Sequence, residues 1–327
     1  MNKKICVVGS GSWGLALALL LQDKGHKVTV WCYLEEEKQM IETNRENKRC
    51  LPGITIPDSI KLTTNIESAV KNQDVIVMAI PSEFMRKNIQ TLVPYVHPNQ
   101  IIVNVSKGLE DTTLNRLSEV IESELPQNQV VVLSGPSHAE EVARKIPTTV
   151  TVSSKSKLAA KQIQNIFMTE YFRVYTNPDL IGVEIGGALK NVIALAAGIV
   201  EGMGYGDNTK AALITRGLTE ITRLGVAMGA NQQTFSGLSC IGDLIVTCTS
   251  GHSRNRRAGE LIGKGYTLDQ AIKEVNMVVE GVYTAKVAYL LKEKYNVEMP
   301  IISEVHNALF NHVAPKDAVY NLMVRDK

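Results

Sequence analysis

Short apolar runs rich in valine and isoleucine recur through the first half of the chain, with helical stretches between them. They fall at Lys4 to Val8, Lys27 to Trp31, Asp74 to Ile80, Gln100 to Val105, Gln129 to Leu133, Thr148 to Val152 and Phe172 to Tyr175. Strand-length runs that alternate with helices predict a parallel sheet covered on both faces, with ligands held beyond the carboxyl ends of its strands. The positions just past those ends are the first to read for chemistry: Gly9, Trp31, Pro81-Ser82, Ser106-Lys107-Gly108 and Ser134-Gly135-Pro136-Ser137. Beyond about Asn177 the pattern shifts to a period of 3.6, which predicts helices over 183–201, 210–228, 256–264, 267–275, 283–295 and 301–310. Pro178 and Asp179 read as the opening of the first of these. No internal repeat is evident, and Val324 to Lys327 read as a frayed end.

The first run leads into Gly9-Ser10-Gly11-Ser12-Trp13-Gly14 and then into the helix-forming stretch Leu15 to Leu21. Such a glycine pattern arises by chance in loops, but a strand before it and a helix after it make a phosphate cradle. Gly9 permits the tight turn, Gly11 lets the backbone approach a pyrophosphate, and Gly14 lets helix and strand pack closely. The helix N-terminus then directs N–H groups and a partial positive charge at the phosphates. The chain thus reads as an α/β Rossmann-type dinucleotide-binding domain over 1–179, followed by an all-α C-terminal domain over 180–327 that binds substrate. The acidic residue that commonly follows the fingerprint by about twenty positions, to hold a ribose 2′-hydroxyl, is replaced by Trp31-Cys32-Tyr33, with Glu35 slightly beyond. NAD and NADP both remain open as the cofactor.

Composition narrows the partners. With 327 residues, 44% of them hydrophobic, the chain can bury a large core. Thirty-five basic and 33 acidic residues leave a net charge of +2, so no global field calls for nucleic acid or an anionic membrane. The five cysteines are scattered without C-x-x-C spacing, which suits a reducing compartment and no zinc. His306 and His312 lie six apart, on different faces of a helix, so no metal site is expected. No export signal precedes the first run, and a cytoplasmic location is expected. The longest apolar stretch, Leu180 to Met203, is interrupted by Glu184, Lys190 and Asn191 and reads as a buried helix rather than a membrane insertion.

Several side chains stand where chemistry is expected. Lys107 lies just past a strand end, where an ammonium could polarise a carbonyl or hold a phosphate, although a solvated lysine is the commoner case. Ser134-Gly135-Pro136-Ser137 precedes a helix and would suit an oxygen-rich ligand, or serve only as a cap. Lys190 sits inside an apolar helix one turn after Gly186 and Gly187, whose presence suggests close backbone approach. Burial would lower its pKa and fit it for proton transfer; a structural pair with Glu184 or Glu201 is the alternative. Asp243 is presented by a glycine-punctuated segment, and Ser253-Arg254-Asn255 suits a phosphate monoester. Arg256 and Arg257 read as solvated helix charges, and the run is too short for a nucleic-acid patch.

Taken together, these residues resemble the bacterial NAD(P)-dependent glycerol-3-phosphate dehydrogenases. The resemblance rests on the glycine turn, Lys107-Gly108, Gly135-Pro136-Ser137, Gly187-Ala188-Leu189-Lys190-Asn191, Gly242-Asp243-Leu244, Ser253-Arg254-Asn255-Arg256 and Val279-Glu280-Gly281. It implies reversible reduction of dihydroxyacetone phosphate to sn-glycerol 3-phosphate with NAD(P)H at the start of phospholipid synthesis, by a homodimer. It further implies that Ser12, Trp13, Tyr33, Lys107, Ala139, Arg254, Val278 and Glu280 contact the dinucleotide, beside Gly9, Gly11 and Gly14. Lys107, Gly135, Ser137, Lys190, Asp243, Ser253, Arg254 and Asn255 would line the substrate pocket, with Lys190 exchanging the proton. Tyr33 stands where that family often has His or Arg, and His138 where it has Phe. Two other readings are a related two-domain dehydrogenase of a hydroxy acid and a catalytically silent dinucleotide sensor or nucleic-acid binder.

Overall fold

The computed structural model describes residues 2–325, in two compact units. Among the described residues the first comprises 2–106 and 117–180, and the second 107–116 and 181–325. Division by compactness therefore differs from a single cut at 179 in the loop 107–116 and at Leu180. Asp326 and Lys327, half of the stretch expected to fray, lie outside the described residues, and Val324 closes the last helix.

Eight strands form one sheet in the first unit: β1 (Lys4–Val8), β2 (Lys27–Trp31), β3 (Lys61–Thr63), β4 (Val75–Met78), β5 (Ile101–Asn104), β6 (Gln129–Ser134), β7 (Thr148–Ser153) and β8 (Phe172–Thr176). Their order is β3-β2-β1-β4-β5-β6-β7-β8. All neighbours are parallel except β6 and β7, which run antiparallel with Leu133 opposite Val152. A wholly parallel sheet, the sequence expectation, thus holds as far as β6 only. The connections carry α1 (Ser12–Asp23), α2 (Glu35–Asn44), α3 (Ile66–Val70), α4 (Met85–Leu92), α5 (Leu117–Glu124), α6 (Ala139–Ala143) and α7 (Lys157–Phe167). Alternate side chains feed opposite faces of the sheet. Ile5, Val7, Val75, Val77 and Val103 join the core with α1, α6 and α7, while Cys6, Val8, Ile76, Met78 and Ile102 join the core with α4 and α5. Burial on both faces explains why these strands read as continuous apolar runs.

The second unit is helical: α8 (Leu180–Gly202), α9 (Asp207–Ala227), α10 (Asp243–Thr249), α11 (Arg254–Gly263), α12 (Leu268–Val275), α13 (Glu280–Lys294), α14 (Pro300–Phe310) and α15 (Pro315–Val324). At 23 residues, α8 is long and apolar enough to cross a bilayer, but its most apolar window is entirely buried within the protein. It is the central core helix, as its interrupting polar residues imply. Backbone meets backbone where α11 crosses it. A Cβ on Gly198 would lie 2.0 Å from the Arg256 carbonyl oxygen, and one on Gly259 would lie 2.0 Å from that of Leu195. The crossing fixes α11, and with it Ser253, Arg254 and Asn255 at its amino end.

That crossing is testable. Gly198→Ala gains helix propensity of about 1 kcal/mol, yet its methyl collides with backbone that cannot rotate away. We expect a net loss of roughly 1–3 kcal/mol in urea unfolding, in the range of an overpacked core. Gly251→Ala, with nothing within 4 Å of the added atom, should be near neutral. Equal behaviour of the two variants would contradict the packing argument.

Candidate functional site

The glycine turn sits at the carboxyl end of β1, between β2 and β4. Gly9 has φ +117°, and a Cβ there would lie 2.4 Å from the Ala79 carbonyl oxygen, so no other residue fits without backbone movement. A Cβ on Gly14 would lie 2.1 Å from the Gly9 carbonyl oxygen, which brings α1 against the turn. Gly11 differs from both: nothing lies within 4 Å of a Cβ there. Gly11 is also the N-cap of α1 and supplies no side-chain bond to the helix's first N–H groups. Donors with no internal partner facing open space make an anion seat. Trp13 adds a buried indole N–H that has no hydrogen-bond partner among the described residues. These features fit a dinucleotide pyrophosphate.

Other predicted residues of the first unit ring strand ends. Tyr33 follows β2, is 69% exposed and meets Trp31 edge-on at 5.9 Å. Gly135 follows β6 with φ +146°, where a Cβ would lie 2.9 Å from the Val150 Cα. The Ser137 hydroxyl donates to the Gly135 carbonyl at 2.9 Å, which folds the loop over itself ahead of α6. Half-buried His138 caps α6 without a side-chain bond to it, and Ala139 is the helix's buried first residue.

In the second unit, three of the predicted residues form one cluster. The Asp243 carboxylate accepts from Lys190 Nζ at Oδ1 (2.8 Å) and from Lys107 Nζ at Oδ2 (2.6 Å). Asp243 is 1% and Lys190 6% exposed. Thr247, one turn after Asp243 on α10, accepts from Lys190 Nζ at 2.5 Å and donates to the Asp243 carbonyl at 2.6 Å. An ammonium has three donors, so one N–H of Lys190 is left without an acceptor among the described residues. Burial pushes the Lys190 pKa down to about 8, although the Asp243 carboxylate pulls it the other way. Burial alone would raise the Asp243 carboxyl, but the two ammonium groups outweigh it and hold it below the ordinary carboxylate range.

Local packing explains how these side chains meet. A Cβ on Gly186 would lie 2.7 Å from the Cys240 Cβ, so the glycine one turn before Lys190 admits the Leu238–Gly242 turn that delivers Asp243. Neither alternative pairing of Lys190 occurs: Glu184 pairs with Arg116, and Glu201 with Arg256 and Lys210. The buried Arg116–Glu184 pair, at 2.6 Å, fastens the loop 107–116 to α8. Leu109 of the same loop enters the helical core, and Lys107 is held at its start.

At the amino end of α11, Ser253 Oγ accepts from the Arg256 N–H at 3.2 Å and caps the helix. Arg256 is consumed by structure, with Glu201 at 2.7 Å, Glu260 at 3.4 Å and the Ser250 carbonyl at 3.0 Å. Half-buried Arg254 has no ion pair among the described residues, so a guanidinium fork stands beside a capped helix N-terminus. Asn255 is more committed than the sequence suggests. Its amide donates to Asn191 Oδ1 at 2.9 Å and accepts from the Gly281 N–H at 2.8 Å, which ties α11 to α8 and to the start of α13. Val278 and Glu280 flank that junction and are half-buried. Thr247, the Asn191–Asn255 bond and the Arg116–Glu184 pair escaped the sequence reading. Only Thr247 carried a usable signal, its i+4 spacing from Asp243 on one helical face.

Comparison with known proteins places the chain in a family. Residues 4–160 match the family model for the N-terminus of NAD-dependent glycerol-3-phosphate dehydrogenase, and residues 179–320 match that for its C-terminus. A glycerol-3-phosphate dehydrogenase (NAD(P)+) of Fusobacterium nucleatum is 58% identical over 326 residues, covering 99% of this chain and 97% of that one. Its counterpart in Bacillus subtilis is 55% identical over 328 residues, covering 99% and 95%. The crystal structure of glycerol-3-phosphate dehydrogenase from Coxiella burnetii superposes with a TM-score of 0.96 at 37% identity, covering 99% of each chain. With both halves matched and the relatives covered nearly end to end, the chain belongs to the NAD-dependent glycerol-3-phosphate dehydrogenase family.

Proposed function

We propose that this protein reduces dihydroxyacetone phosphate to sn-glycerol 3-phosphate with NAD(P)H, reversibly, and that Lys190 carries the proton. The observation that supports this most directly is the buried ammonium held at two of its donors by Asp243 and Thr247, with a third left over. A bound reduced nicotinamide supplies the hydride for the C2 carbon. As negative charge develops on the C2 oxygen, the remaining Lys190 N–H donates to it and then gives up its proton. Lys107 adds positive charge and is oriented by the same carboxylate. Asp243 is a positioning residue: it orients both ammonium groups and stays ionised. In the oxidative direction the neutral Lys190 amine takes the proton from the C2 hydroxyl.

Arg254 is assigned to the substrate phosphate, with the Ser253 end of α11 and the second amide hydrogen of Asn255 beside it. Binding energy from a phosphate remote from C2 then orients the carbonyl. Gly135 and Ser137 complete the substrate contacts in this reading. Gly9, Gly11, Ser12, Trp13 and Gly14 take the pyrophosphate, while Tyr33, Ala139, Val278 and Glu280 contact the rest of the dinucleotide. The unpaired Arg254 favours a phosphate ester over a simple hydroxy acid. Five buried free cysteines support a reducing cytoplasm, where a homodimer would supply glycerol 3-phosphate for phospholipid synthesis.

Steady-state assays with NADH and NADPH in parallel test the assignment. Dihydroxyacetone phosphate should be reduced at least about a hundredfold more efficiently than dihydroxyacetone, the worth of a charge-assisted phosphate clamp. Oxidation of neither cofactor by folded protein would contradict it. Reduction needs the Lys190 proton and oxidation needs its absence. With its pKa near 8, kcat/KM for reduction should fall as pH rises through that value, while kcat/KM for oxidation rises. Lys190→Ala should lose roughly 10²- to 10⁴-fold in turnover, the usual share of a general acid, while nucleotide titrations remain like the parent. A variant with parental turnover would contradict the assignment of the proton to Lys190.

A further inference from the structure

Three consecutive carboxylates, Glu35, Glu36 and Glu37, open α2 directly beyond β2. In a Rossmann-type sheet this is the end that meets the adenosine ribose. Glu35 is taken up by Lys38 at 3.1 Å and by the Thr64 hydroxyl at 2.7 Å, and Glu36 is exposed. Glu37 instead turns back onto the glycine turn. Its Oε2 accepts from the Ser10 hydroxyl at 2.7 Å, and its Oε1 accepts from Asn47 Nδ2 at 3.1 Å. Asn47 is fully buried, also donates to the Ser10 carbonyl at 3.1 Å, and is itself held by the backbone N–H groups of Arg49 and Cys50. A carboxylate only 12% exposed is thereby locked beside the turn that seats the pyrophosphate.

The nearby cations do not reverse its sign. Cys32, Tyr33 and Leu34, which follow β2, supply none. Lys38 is shared between Glu35 and Glu42, and Arg45 faces Asp58 and the Ile56 carbonyl. Arg49, 61% exposed, reaches Glu37 Oε1 at 3.3 Å and only partly offsets it. We propose that Glu37 is the specificity-determining residue for the cofactor and makes the protein prefer NADH over NADPH. The inference rests on the dinucleotide site proposed above. A ribose 2′-hydroxyl can donate to a fixed carboxylate, whereas a 2′-phosphate brings acceptors only and nearly two negative charges at neutral pH. Like charges forced together in a partly shielded site repel.

The test is direct titration of the full-length protein with NADH and NADPH, followed by nucleotide fluorescence, beside kcat/KM for each. NADH should bind at least about tenfold more tightly, a modest electrostatic difference. Glu37→Gln keeps an amide in place of the carboxylate, removes the charge and releases Arg49. It should narrow the ratio roughly fivefold or more through tighter NADPH binding, whereas Glu36→Gln should shift it by less than about twofold. Arg49→Gln, at an exposed position, should widen the ratio, and it decides the matter should Glu37→Gln fail to fold. Equal or tighter NADPH binding by the parent, or a ratio that none of these variants moves, would overturn the preference. If dihydroxyacetone phosphate is still reduced in that case, the catalytic assignment stands. Binding of neither nucleotide would overturn both.

Discussion

A carboxylate buried between two ammonium groups is the interaction on which the site depends. Asp243 could not remain charged at 1% exposure without Lys107 and Lys190, because an isolated buried charge neutralises instead. Lys190, for its part, would lose its proton far more readily without Asp243. The cluster holds one lysine in the range where it can both give and take a proton, and it aims that lysine's last donor. Such tuning by burial against a counter-charge is how general acids and bases are fitted to neutral pH.

The surrounding helical unit is organised to bring these three side chains together. They come from a loop, from the middle of α8 and from the start of α10, and each is delivered by a separate packing device. The loop 107–116 is clamped by Arg116 and Glu184, a buried pair whose separation would strand a charge. The turn before α10 approaches α8 across Gly186, and α11 lies backbone to backbone on α8 at Gly198 and Gly259. The helix that carries Lys190 therefore also positions the end of α11 that carries Ser253, Arg254 and Asn255. Asn255, bonded to Asn191 and Gly281, links that end to the start of α13.

What the sequence revealed follows from the range of the interactions involved. Runs buried on both faces, such as Lys4–Val8 and Lys27–Trp31, match the observed strands residue for residue, because their pattern is set by one uniform environment. The three-residue edge strand Lys61–Thr63, exposed or half-buried throughout, carries no such pattern and was not anticipated. Nor was the reversal between β6 and β7, since direction is decided by the connection rather than by either strand. The glycine turn was legible because its spacing, between a strand run and a helix run, is a local pattern, with Gly9 and Gly14 meeting close backbone and Gly11 left facing open space. The Glu37–Asn47 bracket behind it was not, since it depends on contacts 37 residues apart. Lys190 was legible from a charge in an apolar helix; its partner Thr247 became evident only once Asp243 was placed.

In the proposed mechanism Asp243 sets the proton affinity of Lys190. The most direct test is the pH dependence of kcat/KM for dihydroxyacetone phosphate reduction in Asp243→Asn beside the parent, with folding checked by thermal unfolding. Removing the carboxylate removes the contribution that raises the Lys190 pKa and leaves burial and Lys107, both of which lower it. The pH above which reduction fails, near 8 in the parent, is expected to move to lower values in the variant. A folded variant whose alkaline limb stays in place, or moves upward, would contradict it.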